Sequence, residues 1–258
     1  MSAGTRGWLH GDGGWITADG LPLTDRGLRY GMAVFESIGI RDGKPLFFEE
    51  HARLLSASAK ELLGVQINPT LPALEAGDRG VLRIYLTAGD GASSDQANHP
   101  RLFALFEPTT GELPDQQKAR LHPQAVFPFA HGVKTANYWM QCAAQAAARQ
   151  AGFDHALLFD HEGHLLSAAM GNIFFTLSGE LCTPALSLAV RPGVMRAWVM
   201  AQQIVREIEF PAWRLEDIGE IFLTNSRLGV MPLQLGKTGP GPVGCALRDR
   251  CRREKIIP

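Results

Sequence analysis

The sequence predicts an α+β protein built from two domains. Its first half is rich in strands with one main helix, its second half mixes strands with helices, and a polar stretch containing proline and glycine separates them. That stretch, about residues 111–117, predicts a linker between a first domain at 1–110 and a second at 118–258. A chain of 258 residues is long enough for two domains of this size.

Composition indicates an ordinary globular protein. Hydrophobic residues make up 45% of the chain and charged residues 20%, with a formal net charge of -1. Because there is no basic excess, we expect no nucleic-acid partner. No apolar run reaches the roughly 18 residues that a membrane helix needs, and the N-terminus has no apolar signal segment. We therefore expect no membrane partner and a cytoplasmic location. The four cysteines lack zinc-site spacing, so we expect free thiols and no metal.

Alternation and turn residues predict the elements of the first half. The strongest hairpin signal is a strand over 33–40 that returns over 45–48, because a glycine-containing turn lies between them. Apolar positions on one side and a stop at Gly64 predict a helix over 49–63. The remaining predictions are a hairpin over 8–17, a short helix over 71–76, and strands over 80–87 and 101–106.

The second half alternates strands with helices. An alanine-rich composition predicts a helix over 138–150 that ends at Gly152. A further helix is predicted to open at Gly193 and to run to about residue 207. Strands are expected over 124–129, 155–160, 165–177, 180–184 and 220–226, and the glycine and proline residues of 236–244 predict a loop.

Lys134 lies where an extended, aromatic-rich segment gives way to the alanine-rich helix. A lysine at such a junction can be aimed into a cleft, where loss of water makes its amine a nucleophile or a general base. An isolated lysine is more often a solvated surface charge. Other parts of the sequence are needed to distinguish these two interpretations.

An anion site is indicated by Pro192 and Gly193 ahead of the next helix. They fix its start and remove side-chain bulk, so that the amides of Val194 and Met195 can point at a phosphate. Thr224, at the end of a strand, could add a hydroxyl group, although an ordinary helix start without a ligand explains the same residues. A lysine nucleophile combined with a phosphate pocket is what pyridoxal phosphate requires.

The chain resembles the class IV aminotransferases, the fold-type IV pyridoxal-phosphate enzymes that include aminodeoxychorismate lyase. The resemblance covers nearly the whole length and rests on six ordered blocks: 25–31 with 34–36, 51–54 with 56–57, 134–138, 171–174, 192–196 and 222–226. It implies a fold like that of D-amino-acid aminotransferase, with a small α+β N-terminal domain and a larger C-terminal domain with a β-barrel-like core. It also implies a homodimer that acts on a small amino-acid-like substrate.

The same resemblance implies roles for individual residues. Lys134 is the Schiff-base lysine, and Tyr30, Phe35 and Arg83 lie on the substrate side. The other residues implied to bind pyridoxal phosphate are Arg53, Tyr138, Ser167, Asn172, Gly193, Val194, Met195 and Thr224.

Two positions depart from the family pattern. The family normally carries a glutamate, five residues before the asparagine matched by Asn172, that pairs with the pyridine nitrogen; here that position is Ser167. A serine cannot stabilise a pyridinium by charge. Glu162 is the nearest acid upstream, but its odd offset places it on the opposite face of a regular strand. Ala88 stands where D-amino-acid transaminases and many lyases of the family carry an arginine.

Three functions follow from the resemblance. The preferred one is an aminodeoxychorismate lyase, which converts 4-amino-4-deoxychorismate to 4-aminobenzoate and pyruvate. The second is transamination of a branched-chain or D-amino acid, in which Lys134 moves a proton between substrate and cofactor. The third is a non-catalytic homologue, which Ser167 keeps open because fold does not imply function.

Overall fold

The computed structural model describes residues 4–127 and 132–258, and the chain divides into two compact units. The first unit contains the residues up to 111 together with Val133–Asn137 and Ile256–Pro258. The second contains Glu112–Gly132 and Tyr138–Lys255. The short stretch around Lys134 therefore belongs to the first unit, although the sequence places it in the second half.

The first unit is a six-stranded antiparallel sheet with two helices. Its strand order is β2-β1-β6-β5-β3-β4. The elements are β1 (Arg6–Gly11), β2 (Gly14–Thr17), α1 (Arg26–Tyr30), β3 (Ala33–Arg41), β4 (Lys44–Pro45), α2 (Phe48–Leu63), β5 (Gly80–Thr87) and β6 (Leu102–Pro108).

Strand alternation gives this sheet two different faces. Alternate residues of β3 and β5, among them Val34 and Ile84, are buried in one apolar cluster with Leu55 of α2. The residues between them, such as Phe35 and Tyr85, lie on the opposite face. Helix α2 ends at Gly64, whose φ of 66° is a left-handed conformation that glycine adopts without strain.

The second unit is an eight-stranded mixed sheet with three α-helices and two short 3-10 helices in its described part. Its strand order is β12-β11-β10-β13-β14-β7-β8-β9. The α-helices and strands are β7 (Gln117–Leu121), α3 (Trp139–Gln150), β8 (His155–Phe159), β9 (Leu165–Ala168), β10 (Asn172–Leu177), β11 (Glu180–Pro184), α4 (Val194–Gln202), β12 (Arg206–Ile208), β13 (Ile221–Asn225), β14 (Gly229–Leu235) and α5 (Pro242–Arg253).

The second sheet is curled. Edge strand β9 passes into β10 through a tight turn in which Ala168 and Gly171 exchange hydrogen bonds of 2.9 and 3.3 Å. Because β10 belongs to the other half of the sheet, this turn brings one edge of the sheet beside that half. The predicted α+β class is confirmed, and the buried side of the curl is filled by apolar residues such as Leu157, Ile173 and Phe175.

Several predicted elements of the first half and the linker region were wrong. Residues 71–75 form no regular element, and a turn covers 76–77 instead of the predicted helix end. The returning strand of the second hairpin is only Lys44–Pro45, because α2 already begins at Phe48. Residues 124–127 are not a strand, and 128–129 lie outside the described residues. The strand of this region is β7, which starts at the end of the predicted linker.

Corrections in the second half concern element ends. Residues 165–177 form two strands rather than one, since the turn at 169–171 interrupts them. Helix α4 ends at Gln202 rather than near 207, because residues 206–208 pair in parallel with β11. The predicted 236–244 loop is cut short by α5, which begins at Pro242. None of the helices in the described ranges is both long and apolar enough to span a bilayer.

Candidate active site

Lys134 is held by the first unit through a short pairing with β3. Val34 and Thr135 form an antiparallel bridge. On either side of it, the Phe35 amide donates to the Lys134 carbonyl at 2.9 Å, and the Ala136 amide donates to the Ala33 carbonyl at 2.8 Å. We call residues 133–137 the lysine segment. Its backbone is thus aligned with a central strand of the sheet.

The Lys134 side chain lies on the face of the sheet opposite α2. Its Nζ is 4.4 Å from the centroid of the Phe35 ring. Phe35 stacks on Tyr85 at 4.8 Å, and Tyr85 stacks on Phe103 at 4.5 Å. Thr135, the next residue along, is buried. Lys134 is therefore not an ordinary solvated surface lysine, because its amine lies against an aromatic ring.

The other predicted substrate residues have different surroundings. Arg83 lies on the same sheet face as Tyr85, pairs across the strands with Ser37, and forms an ion pair with Glu107. Tyr30 ends α1, where its hydroxyl accepts a hydrogen bond of 2.8 Å from Arg29. Phe35 is in contact with the Lys134 amine.

In the second unit, Gly193 and Asn172 fit closely together. A Cβ atom added to Gly193 would lie 2.4 Å from Asn172 Oδ1, so only glycine is tolerated without a shift. Asn172 is buried, and its Nδ2 donates to the Arg191 carbonyl at 2.8 Å. Gly193 is the N-cap of α4 and supplies no side-chain cap. The first-turn amides, including those of Val194 and Met195, have no partner within the helix and suit an anion.

Thr224 adds a hydroxyl beside these residues. It pairs in register with Asn172 and is 2% exposed. Its Oγ1 is buried and has no hydrogen-bond partner among the residues that the structure describes. Leaving such a hydroxyl unsatisfied costs about 1–3 kcal/mol, and a phosphate oxygen would accept a hydrogen bond from it. We call Asn172, Gly193, Val194, Met195 and Thr224 the anion cradle. Its donors, the Val194 and Met195 amides and the Thr224 hydroxyl, fit a phosphate group.

Arg53 and Tyr138 lie in different units. Arg53 lies on α2 in the first unit with its side chain 75% exposed, 3.7 Å from Glu50 and 3.3 Å from the Glu49 carbonyl. Tyr138 precedes α3 in the second unit, and its carbonyl accepts the Cys142 amide at 2.9 Å. Their predicted contacts with a cofactor remain predictions.

Ser167 lies on β9 opposite Leu158, next to an irregularity in the pairing of β8 and β9. That irregularity does not let Glu162 take the part of the family's glutamate. Glu162 lies in the turn between the two strands, its side chain is 63% exposed, and it faces His164 at 3.5 Å. His164 also contacts Asp160 at 3.2 Å. No carboxylate from this turn therefore takes the place of the glutamate that Ser167 replaces.

Sequence reasoning missed three residues that support Lys134. Tyr85 and Phe103 extend the ring stack, and Asn137 donates from Nδ2 to the Gly31 carbonyl at 3.1 Å. The stack could have been found from the sequence, because aromatic residues at matching positions of successive strands face one another once the register is known. The asparagine contact joins residues 106 apart and carries no local signal.

Comparisons with known proteins identify the family of the chain. A family model described as amino-transferase class IV matches residues 33–235. A provisionally assigned branched-chain-amino-acid aminotransferase of Methanocaldococcus jannaschii is 28% identical, with 81% of this chain and 80% of that protein covered. The aminodeoxychorismate lyase of Vibrio harveyi is 25% identical, with 88% and 89% covered.

A solved fold IV transaminase from Curtobacterium pusillum superposes with a TM-score of 0.77 at 20% identity, covering 98% of this chain and 99% of that one. At that identity the likeness concerns the fold, and it confirms the fold expected from the sequence.

Proposed function

The chain belongs to the class IV aminotransferase family, whose enzymes are pyridoxal-phosphate-dependent transaminases or lyases, and from that premise we propose an aminodeoxychorismate lyase-like activity. The substrate would be 4-amino-4-deoxychorismate, and the products 4-aminobenzoate and pyruvate. We also propose that the protein acts as a homodimer in the cytoplasm, with the linker near residues 111–117 separating its domains.

The observation that carries this proposal is the sheet face bearing Lys134. The amine lies against Phe35 in a stack of three rings, and Arg83 lies on the same face. Aromatic side chains favour contacts with other flat rings, and a guanidinium binds carboxylates with two parallel hydrogen bonds. Arg83 is ion-paired with Glu107, and a substrate carboxylate would share or replace that partner. A flat unsaturated ring that carries carboxylates matches both features. The Vibrio harveyi lyase, which matches this chain over most of both lengths, supports the same choice.

In this proposal Lys134 has two tasks. Pyridoxal phosphate, when bound, supplies an aldehyde that bonds to an amine and a ring that accepts electrons from a substrate carbon. Lys134 provides that amine, and once released it takes a proton from substrate and returns it at another atom. The amides of Val194 and Met195 and the Thr224 hydroxyl hold the phosphate.

Ser167 modifies the proposed chemistry. A serine hydroxyl offers a neutral hydrogen bond, whereas a glutamate would stabilise a positive charge on a ring nitrogen. We propose that activity persists with weaker withdrawal of electrons from the substrate carbon.

Transamination is the second candidate. The Methanocaldococcus jannaschii relative is 28% identical, compared with 25% for the lyase, and its name supports a branched-chain amino acid as the substrate of this candidate. Both reactions use the same lysine and the same anion cradle. They differ in what happens to the amino group, because a transaminase needs a keto acid to accept it.

One set of assays separates these functions. Reconstituted protein should develop a visible absorbance band. Lys134→Ala should lack this band and should lose turnover by at least about 1000-fold. Pyruvate released from 4-amino-4-deoxychorismate without a keto acid supports the lyase. Turnover that depends on an added keto acid supports the transaminase. A protein that shows no lysine-dependent band after reconstitution is a non-catalytic homologue.

A further inference from the structure

The backbone pairing between the lysine segment and β3, which orients Lys134, is short. It consists of one isolated bridge, Val34 with Thr135, flanked by the two backbone hydrogen bonds described above. In a strand, a slip of one residue moves every side chain to the other face. A slip here would turn Lys134 away from Phe35 and toward the apolar core beneath the sheet. Two backbone hydrogen bonds are a weak barrier to such a slip.

The next contact along the segment is between Asn137 and Gly31. The backbone ladder has ended by Asn137, and the side chain continues it by donating to the Gly31 carbonyl at 3.1 Å. Gly31 caps α1 with a φ of 68°, and an added Cβ would lie 2.4 Å from Asn137 Oδ1. The asparagine side chain therefore fills the space that a side chain at residue 31 would occupy. This fit exists only in one register.

We infer that Gly31 and Asn137 are positioning residues that set the register of the lysine segment on β3, so that Lys134 points along the Phe35 face. The inference rests on the proposed function only for its consequence, namely that Lys134 is the reacting amine. Neither residue touches the reacting atoms in this account. Their effect is exerted through the backbone of residues 134–136.

The chain supplies a matched control for each residue. Gly64 caps α2 with a φ of 66°, and an added Cβ there would meet nothing within 4 Å. Gly64→Ala thus imposes the same backbone strain as Gly31→Ala without the overlap. Asn68, an exposed asparagine of the same unit, serves as the control for Asn137→Ala.

Amide hydrogen exchange tests the register without any cofactor. Exchange at Phe35 and Ala136 should rise about fivefold in Asn137→Ala, in line with the loss of one hydrogen bond, and more in Gly31→Ala. In the double variant the overlap is gone. Adding Gly31→Ala to Asn137→Ala should therefore reduce stability, as measured by exchange, by no more than Gly64→Ala does alone. Asn68→Ala should leave both amides unchanged.

Two results would overturn the inference. One is unchanged exchange at Phe35 and Ala136 in Asn137→Ala. The other is a uniform rise throughout β3 and β5, which would mean that the asparagine only adds general stability.

A second readout follows Lys134 itself. After mixing with pyridoxal phosphate, the lysine-dependent absorbance band should form about fivefold more slowly in Asn137→Ala and at the normal rate in Asn68→Ala. If exchange changes but band formation does not, the consequence for Lys134 is wrong. If the wild-type protein forms no band, the proposed function fails, and the exchange data still decide the register.

Discussion

The lysine segment and the anion cradle differ in how their polar groups are satisfied. Around Lys134, backbone groups pair with β3, Asn137 pairs with Gly31, and the amine lies against Phe35. In the cradle, the Thr224 hydroxyl has no protein partner among the described residues, and the first amides of α4 have none within the helix. The proposed nucleophile is thus held by protein contacts, whereas the proposed cradle presents donors that a ligand would pair with.

This difference separates two requirements of the proposed reaction. A covalent nucleophile has to be held in one direction before the ligand arrives, because misplacement lowers the rate of bond formation. Donors for a phosphate gain by being unpaired, because each is then available to a charged acceptor. The following predictions test that contrast, beginning with the largest expected effect.

Gly193→Ala should damage the cradle most. The new Cβ would lie 2.4 Å from Asn172 Oδ1, and either the helix start or the asparagine has to move. We expect the affinity for pyridoxal phosphate to fall about 100-fold, since several charge-assisted hydrogen bonds are disturbed together. Equilibrium titration of the absorbance band measures it. Pyridoxal, which lacks the phosphate, is the control, and an equal loss of affinity for pyridoxal would contradict a phosphate-specific role.

Mild acid should weaken the second unit. Each unit buries a histidine, but His51 contacts the Glu36 carboxylate at 3.0 Å, whereas His155 contacts the Gln117 amide oxygen at 2.8 Å. Burial lowers the pKa of His155 from 6.5 to about 4. Between these values the unfolded chain binds a proton that the folded chain does not, so the free energy of unfolding falls as the pH falls.

From pH 8 to pH 5 this loss amounts to about 2 kcal/mol. Denaturant unfolding at the two pH values should show the loss in wild-type protein and not in His155→Leu. Lower protection of β8 amides at pH 5 than at pH 8, after correction for the pH dependence of intrinsic amide exchange, would locate the effect in the second unit. An identical pH dependence in the variant would mean that other groups are responsible.

Thr224→Val should separate stability from binding. Valine keeps the shape and removes a buried hydroxyl that lacks a partner, so the free energy of unfolding without cofactor should stay equal or rise by about 1 kcal/mol. The affinity for pyridoxal phosphate should fall about tenfold, because one hydrogen bond to a charged group is lost. Thermal unfolding and titration measure the two effects. A variant that loses stability instead would indicate that the hydroxyl is already satisfied.

Ser167→Glu should have the smallest effect, and it should raise a rate where the other changes lower affinity or stability. A carboxylate facing the ring nitrogen of bound cofactor would stabilise its protonated form and raise the rate of proton removal from substrate several-fold. Exchange of the substrate α-proton with deuterated water measures that step directly, and the absorbance spectrum reports the change at the ring. Ser167→Gln, which has the same length without the charge, is the control. Slower proton exchange in the glutamate variant would count against a weak electron sink.

Local signals in the sequence predicted the elements that depend on local physics. Helix α2 was predicted almost to its ends, because its apolar spacing and Gly64 both lie within the helix and its cap. Helix α5 was missed. Its segment is dominated by arginine, and its first amides, those of Val243 and Gly244, are capped by the side chain of Glu220, which lies just before β13, at 3.3 and 3.0 Å. Strand β7 was missed because both of its pairings are with strands far along the chain.

The residues of the candidate site also fall into those that local sequence signals predicted and those that depend on distant contacts. Gly193, Val194 and Met195 were recognisable because a helix start with glycine is a local pattern. The isolated Thr224 hydroxyl and the fit of Asn137 to Gly31 were not, since both depend on which residues meet across long separations. Lys134 was identified by its block of motif residues, but its place in the first unit became evident only from the pairing with β3.

That pairing also has a consequence for biosynthesis. Thr135 and its partner Val34 are 101 positions apart, and the last three residues, Ile256–Pro258, also belong to the first unit. A ribosome adding about 5–20 residues per second needs roughly 1 to 5 seconds to go from position 111 to position 137, where the lysine segment ends. During that interval the nascent N-terminal sheet has an open place beside β3. A truncated product ending at the linker would leave that place open permanently, and such a fragment is an expected target for chaperones and proteases.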